Sequence, residues 1–65
     1  MKKISLKAAR VAAGLTQEAL AEQIGVTRYT VAAIENGDRK PQRQYILAFC
    51  VITGFAEQDL LCPEI

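Results

Sequence analysis

The feature that most constrains this chain is a pair of short helical patterns separated by one glycine, within residues 15–37. Thr16 and Thr27 each precede one of the two patterns and are natural N-cap residues, and Gly25 lies between the patterns. The connection spans only about three residues, which favours a steep crossing of the two helices over an antiparallel hairpin. Ala21, one helical turn before the glycine, is small enough to let the helices approach closely. The segment therefore predicts two helices that are locked together where they cross.

Helical patterns also cover most of the remaining sequence, and strand signals are weak. We therefore expect an all-α fold, a compact five-helix bundle in which residues 1–65 form a single domain. The predicted helices occupy roughly residues 5–13, 17–24, 27–36, 42–53 and 57–61. Their expected inner residues are Leu20, Ile24, Val31, Ile34, Tyr45, Ile46, Phe49, Cys50 and Leu60.

The cysteine and histidine counts limit the ways in which so short a chain is stabilised. A domain of 65 residues buries only about 60% of the surface that its unfolded chain exposes, so its stability is marginal. We interpret Cys50 and Cys62 as reduced thiols, and without a histidine they cannot complete a zinc site. We expect no disulfide, no metal and no cofactor, which leaves a homodimer as the natural source of further stability.

Apolar residues near the C-terminal end exceed what one small core needs. We predict a dimer interface that contains Val51, Phe55, Leu61 and Ile65. The alternative is that these side chains, together with Ile52 and Cys62, simply complete the core of the monomer.

The basic residues are unevenly distributed, although the formal net charge is only +1. All eight lysines and arginines lie before residue 44, and the segment after it carries acids but no base. This asymmetry indicates a polyanionic partner for one side of the molecule, unless it arises by chance among so few residues. No apolar run approaches the ~20 residues of a membrane span, and no targeting segment is visible, so we expect a cytoplasmic protein without a membrane partner. With no separate ligand domain, we expect no small-molecule ligand.

The segment "LTQEALAEQIGVTRYTVAAIENG" resembles the helix-turn-helix of the phage Cro and repressor type, also called the XRE type of small bacterial regulators. Its strongest pieces are "GLTQEALAEQIGV" and "AAIENG", and the similarity extends from about Leu6 to Leu61. The resemblance implies a compact bundle of five helices whose third helix, about residues 27–36, enters the DNA major groove. It also implies that the protein binds double-stranded operators as a two-fold dimer.

The start of the third predicted helix supplies the candidate base contacts. Because Val31 and Ile34 occupy its inner face, residues 28, 29, 32 and 33 are expected to face outward. An arginine placed there donates two hydrogen bonds to guanine O6 and N7, the commonest specific contact. We predict base contacts from Thr27, Arg28, Tyr29 and Ala33. Ala33 is short and offers only apolar contact, for example with a thymine methyl. Members of the family that the sequence resembles often carry a longer polar side chain at this position. The alternative is that the arginine and tyrosine are ordinary solvated side chains.

A second set of residues is expected to hold DNA phosphates, or else to be merely solvated. Gln17 opens the second helix, where free N–H groups suit an anion. The predicted phosphate contacts are Arg10, Gln17, Asn36, Arg39, Lys40 and Arg43. Arg10 and Glu35 both fall on core-facing sides of their helices, and a buried charge must be paired. The resemblance implies that they form a structural ion pair.

Two functions follow from these observations. The first is a sequence-specific transcriptional regulator, a repressor that binds a palindromic operator as a dimer. The second is an antitoxin-like protein-binding module that neutralises a partner and represses its own operon. An enzyme is not expected, because the sequence shows no nucleophile–base pair, metal cluster or phosphate loop.

Overall fold

Hydroxyl side chains set the start of the first three helices. The computed structural model describes residues 3–61 and contains, within them, the α-helices Leu6–Ala12 (α1), Gln17–Ile24 (α2), Arg28–Glu35 (α3) and Arg43–Thr53 (α4). Ser5, Thr16 and Thr27 each accept a hydrogen bond from the backbone N–H three residues later, at 3.1, 3.0 and 3.2 Å. Such caps satisfy N–H groups that have no partner within the helix. The expected helix starts therefore agree with the observed ones.

Gly25 ends α2 and produces the turn into α3. Its φ of 94° lies in the left-handed region, which costs glycine far less than other residues. The backbone N–H groups of Gly25 and Val26 both bond to the carbonyl oxygen of Ala21, at 2.8 and 3.0 Å. These bonds close the end of α2 and fix the direction in which the chain enters α3.

The core lies where α1, α2, α3 and α4 meet. Its largest completely enclosed side chains are Leu20, Val31, Phe49 and Leu60. Ala21 is also buried, which places a small side chain at the contact between α2 and α3. Side chains at the margin are partly buried against this core, namely Ile4, Leu15, Ile24, Val26, Cys50, Ile52 and Phe55. Among the described residues, no helix is long and apolar enough to cross a membrane.

The prediction of five helices is wrong at the C-terminal end of the described chain. Instead of a helix over residues 57–61, the structure has a short 3₁₀ turn, Glu57–Asp59, followed by the extended pair Leu60–Leu61. Ala56 precedes the turn and makes no side-chain cap bond. A segment this short, with no cap, forms too few hydrogen bonds to offset the unfavourable free energy of nucleating an α-helix. Leu60 is nevertheless buried in the core, as expected.

The two ends of the described chain pair with each other, although no strand was predicted at either end. Ile4–Ser5 (β1) and Leu60–Leu61 (β2) form a two-stranded parallel ladder, with Ile4 opposite Leu60 and Ser5 opposite Leu61. The ladder gives the backbone of the final segment the partners that a fifth helix would have supplied. It therefore holds Leu60 in place over the core.

Tyr45 on α4 carries a buried hydroxyl with no hydrogen-bond partner among the described residues. Only 5% of the residue is exposed, and its ring stacks on that of Phe49 with centroids 6.2 Å apart. Burial raises the pKa of Tyr45 to about 12, the charge of Glu35 adds to the rise, and the charge of Arg10 opposes it. The folded protein thus holds this proton more tightly than the unfolded chain does. Ionisation of this group has no effect on the free energy of unfolding below pH 10, and it lowers that free energy as the pH rises toward 12.

We expect Tyr45→Phe to raise the free energy of unfolding by about 1 kcal/mol at neutral pH, because it removes a buried polar group that has no partner. Between pH 10 and 12, the variant should lose less stability than the unsubstituted protein. Urea unfolding across this pH range measures both effects. Tyr29→Phe is the matched control, since Tyr29 is 75% exposed and its replacement should leave stability within about 0.5 kcal/mol. A Tyr45→Phe variant that is clearly less stable would mean that the hydroxyl has a favourable partner.

Candidate nucleic-acid interface

The start of α3 is exposed at the surface of the molecule. Val31 and Ile34 fill the inner face of the helix and are buried, whereas Arg28 and Tyr29 at its first turn are exposed. Thr27 caps the helix, and its hydroxyl also lies 3.1 Å from that of Thr30. A free helix start of this kind is the part of a helix-turn-helix that reaches base edges in the major groove.

Arg28 and Tyr29 contact each other at this tip. The guanidinium carbon of Arg28 lies 5.2 Å from the centre of the Tyr29 ring, over its face. This is a cation–π arrangement, in which the ring face attracts the positive charge. The two side chains therefore form one exposed unit.

The other two predicted base contacts are placed differently. The Thr27 hydroxyl is engaged in the helix cap and with Thr30, so its side chain acts first as a structural element. Ala33 is half-buried on α3, and its carbonyl oxygen accepts hydrogen bonds from the N–H groups of Asp38 and Arg39, at 2.9 and 3.3 Å. Ala33 thereby anchors the loop that follows α3.

An open groove runs between the first turns of α2 and α3. Its lining residues are Arg10, Thr16, Gln17, Glu18, Ala19, Glu22 and Arg28. Glu18 and Glu22 were not among the predicted site residues, although their spacing of four residues places both on one face of α2. The groove joins the exposed tip of α3 to the start of α2, where Gln17 lies.

Arg10 and Glu35 form a buried ion pair under this groove. The Arg10 Nε lies 2.6 Å from Glu35 Oε2, and Nη2 lies 3.3 Å from Oε1. Arg10 also donates from Nη1 to the carbonyl oxygen of Leu15, at 2.7 Å. Arg10 is 8% exposed, and the Glu35 side chain is 1% exposed. The pair joins α1 to α3. The Glu35 carboxylate can still accept a further hydrogen bond from a neighbouring side chain.

Gln17 is attached to this pair. Its Nε2 donates to Glu35 Oε1 at 3.0 Å, which ties the start of α2 to the end of α3. An amide nitrogen carries two N–H groups, so one remains for a second acceptor. Gln17 is half-buried and lines the groove, a position from which that N–H can meet an anion. No sequence signal indicated the bond to Glu35.

The remaining predicted phosphate contacts follow α3. Asn36, Arg39, Lys40 and Arg43 are all exposed. Within residues 3–61, Arg39 and Lys40 form no ion pair. Arg43 lies 3.9 Å from Glu57, but both side chains are exposed, and such pairs contribute little. Arg39, Lys40 and Arg43 are therefore available to a polyanion.

The residues predicted for the dimer interface divide into three groups. Val51 is 84% exposed, and Leu61 is also exposed, as is Leu47 on the same helix as Val51. Phe55 is half-buried and packs against the core of the monomer. Ile65 lies outside the described residues.

A short helix whose first turn is exposed, held across a glycine turn by a second helix, defines a helix-turn-helix protein. The comparison with known families agrees, because residues 4–61 match a family described as "Helix-turn-helix domain". This chain belongs to that family, which is consistent with the Cro and repressor resemblance of the sequence.

Three relatives carry names of the same kind. A protein of Bacillus subtilis (strain 168), named an uncharacterized HTH-type transcriptional regulator, is 41% identical over 62 residues, which cover 95% of this chain and 94% of the relative. A protein of Methanocaldococcus jannaschii with the same description is 36% identical over the same shares of the two chains. A Methanothermobacter thermautotrophicus relative, also so described, is 61% identical over 28 residues, which cover 43% of this chain and 41% of the relative.

Proposed function

We propose that this protein is a DNA-binding transcription regulator, and that it represses by binding a palindromic double-stranded operator as a homodimer. The observation that carries the proposal is the exposed start of α3, where Arg28 and Tyr29 project beside the groove that Gln17 also lines. The family of the chain and the names of its relatives support the regulatory role. Bound over a promoter, such a dimer excludes the polymerase.

In this proposal the tip of α3 reads sequence. Arg28 donates two hydrogen bonds to guanine O6 and N7, a geometry that its planar guanidinium matches. Tyr29 lies beside it, and Ala33 lets the helix approach a thymine methyl closely. Thr27 fixes the helix start through its cap, with any base contact secondary to that role.

Contacts with phosphates hold α3 in register but carry no sequence information. Gln17 contributes its second N–H from the start of α2, and Arg10 lies behind it in the same groove. On the other side of α3, the exposed side chains of the loop and of the first turn of α4 hold the second stretch of backbone, namely Asn36, Arg39, Lys40 and Arg43.

A dimer supplies the affinity that one recognition helix lacks. Specific sites exceed non-specific ones by roughly 4–10 kcal/mol, which is more than a few contacts provide. Two copies that read half-sites about 34 Å apart meet this need. The exposed apolar side chains Leu47, Val51 and Leu61 are the proposed contact between copies, and Phe55 and Ile65 are included in it from the sequence alone.

Val51→Glu is expected to convert the dimer to a monomer, because it places two like charges at the centre of the proposed contact. Analytical ultracentrifugation at micromolar concentration measures the change. Val11→Glu is the matched control, since Val11 is also an exposed valine but lies on α1. A clean monomer for the unsubstituted protein would remove the proposed interface.

The same exposed apolar side chains are what favours the second candidate function. An antitoxin-like module would use Leu47, Val51 and Leu61 to bind a different protein while α3 still binds DNA. That contact would show little dependence on salt, whereas operator binding weakens steeply as salt rises.

Selection of duplexes from a random pool by the purified protein tests the proposal. We expect a palindromic consensus with a guanine in each half-site, whose affinity falls linearly with salt on a double-logarithmic plot. The control is Arg28→Ala, which should lose the preference for that guanine but keep salt-dependent binding. A pool that shows no enrichment would contradict the function.

A further inference from the structure

We propose that Tyr29 is a positioning residue that selects guanine through Arg28, by holding the guanidinium over its ring. The inference rests on the proposed function and deepens it, because it assigns the specificity of the site to a pair of side chains rather than to two separate contacts. The tyrosine hydroxyl has no required role in this arrangement.

The surroundings of the pair support this assignment. Tyr29 is 75% exposed, so its ring does not serve the core. Its described contact is the Arg28 guanidinium, 5.2 Å from the ring centre. Glu18 and Glu22 line the same groove as Arg28, yet within residues 3–61 neither of them forms an ion pair with it. The guanidinium therefore lies on the ring and not in an ion pair with either of these carboxylates.

The physical advantage is preorganisation. An exposed arginine has many rotamers, and the two parallel hydrogen bonds to guanine require one orientation of the guanidinium plane. A ring that already restricts the side chain reduces the ordering that binding requires. It also keeps the cation away from acids that would otherwise compete with the base. The typical strength of an exposed cation–π contact corresponds to about a two- to fivefold change in affinity.

Replacement of the ring separates this role from a direct base contact. Tyr29→Phe keeps the ring face and removes the hydroxyl, whereas Tyr29→Ala removes both. If the ring positions Arg28, phenylalanine retains the preference for guanine and alanine reduces it. If the hydroxyl reads a base, the two variants lose affinity alike.

The free protein provides the first measurement. The δ protons of Arg28 should show an upfield ring-current shift in the NMR spectrum that persists in Tyr29→Phe and disappears in Tyr29→Ala. Loss of the shift in both variants, or in neither, would overturn the contact. Thermal unfolding of each variant, followed by circular dichroism, should remain unchanged, because the ring lies outside the core.

The second measurement uses the selected operator and a copy in which the guanine read by Arg28 is replaced by 7-deazaguanine, which lacks N7. The guanine is identified as the base at which Arg28→Ala loses its preference. We expect the ratio of the two affinities to fall about two- to fivefold in Tyr29→Ala and to be unchanged in Tyr29→Phe. In an Arg28→Ala background, Tyr29→Ala should have no further effect on the ratio.

Two outcomes distinguish failure of the inference from failure of the function. An unchanged ratio in Tyr29→Ala, or an equal loss in the Arg28→Ala background, overturns the positioning role while operator binding stands. Absence of any specific duplex for the unsubstituted protein overturns both.

Discussion

Arg10→Ala is expected to lower the free energy of unfolding by about 3–5 kcal/mol, which is most of the stability of a domain this small. The substitution leaves the Glu35 carboxylate, 1% exposed, without the cation that lies 2.6 Å from it. It also removes the donor to the carbonyl oxygen of Leu15, a hydrogen bond that ties α1 to the segment between α1 and α2. Urea unfolding followed by circular dichroism measures the loss.

The paired variant Arg10→Met with Glu35→Leu separates the cost of an unpaired charge from the value of the pair. Apolar residues of similar size often replace a buried ion pair without loss of stability. We expect the double variant to fold, but to bind DNA more weakly, because Gln17 loses the carboxylate that orients it. An Arg10→Ala variant within about 1 kcal/mol of the parent would show that Glu35 finds water or another partner.

Phe49→Ala is expected to cost a similar amount, about 3–5 kcal/mol, through the cavity that it leaves. Phe49 has no exposed surface and stacks against Tyr45, so its truncation leaves an enclosed space that the neighbours fill only in part. The substitution removes only packing in the core, and Phe49 is not one of the proposed DNA contacts. Thermal or chemical unfolding should show a nearly unfolded protein at room temperature.

Leu47→Ala is the matched control for Phe49→Ala on the same helix. Leu47 is exposed, so in the monomer its truncation should change the free energy of unfolding by about 0.5 kcal/mol or less. If both substitutions cost the same in dilute solution, Phe49 would not be the centre of the core.

The helices of this protein could be predicted well where local residues determine them. Ser5, Thr16 and Thr27 are capping residues followed by apolar periodicity, and the structure has a capping bond at each. Gly25 has the positive φ expected of a glycine at the end of a helix. These features depend on residues within one or two turns, so a sequence contains all the information that they need.

The last segment could not be predicted in the same way, because its conformation depends on a distant partner. Residues 57–61 show helical spacing, but the last two of them, Leu60–Leu61, pair with Ile4–Ser5 from the other end of the described chain. A strand of two residues has no periodicity to detect. The absence of a capping residue at Ala56 was the available local signal against a full helix.

The candidate site also has features that local sequence determines and features that depend on contacts between distant residues. The outward direction of Arg28 and Tyr29 followed from the inner positions of Val31 and Ile34, because one helix fixes both. The contact between Arg28 and Tyr29, and the bond from Gln17 to Glu35, depend on side-chain conformations and on packing between helices. The sequence could therefore name the surface but not the connections within it.

The division of this surface into residues that read bases and residues that hold phosphates is tested most directly by comparing Arg28→Ala with Lys40→Ala. The measurement is the affinity of each variant for the selected operator and for duplexes altered at single base pairs, over a range of salt. Arg28→Ala should cost about 1–3 kcal/mol on the best operator and lose preference at one base pair. Lys40→Ala should weaken all duplexes alike and reduce the salt slope by about 1. Equal losses by both variants on every duplex would contradict the account.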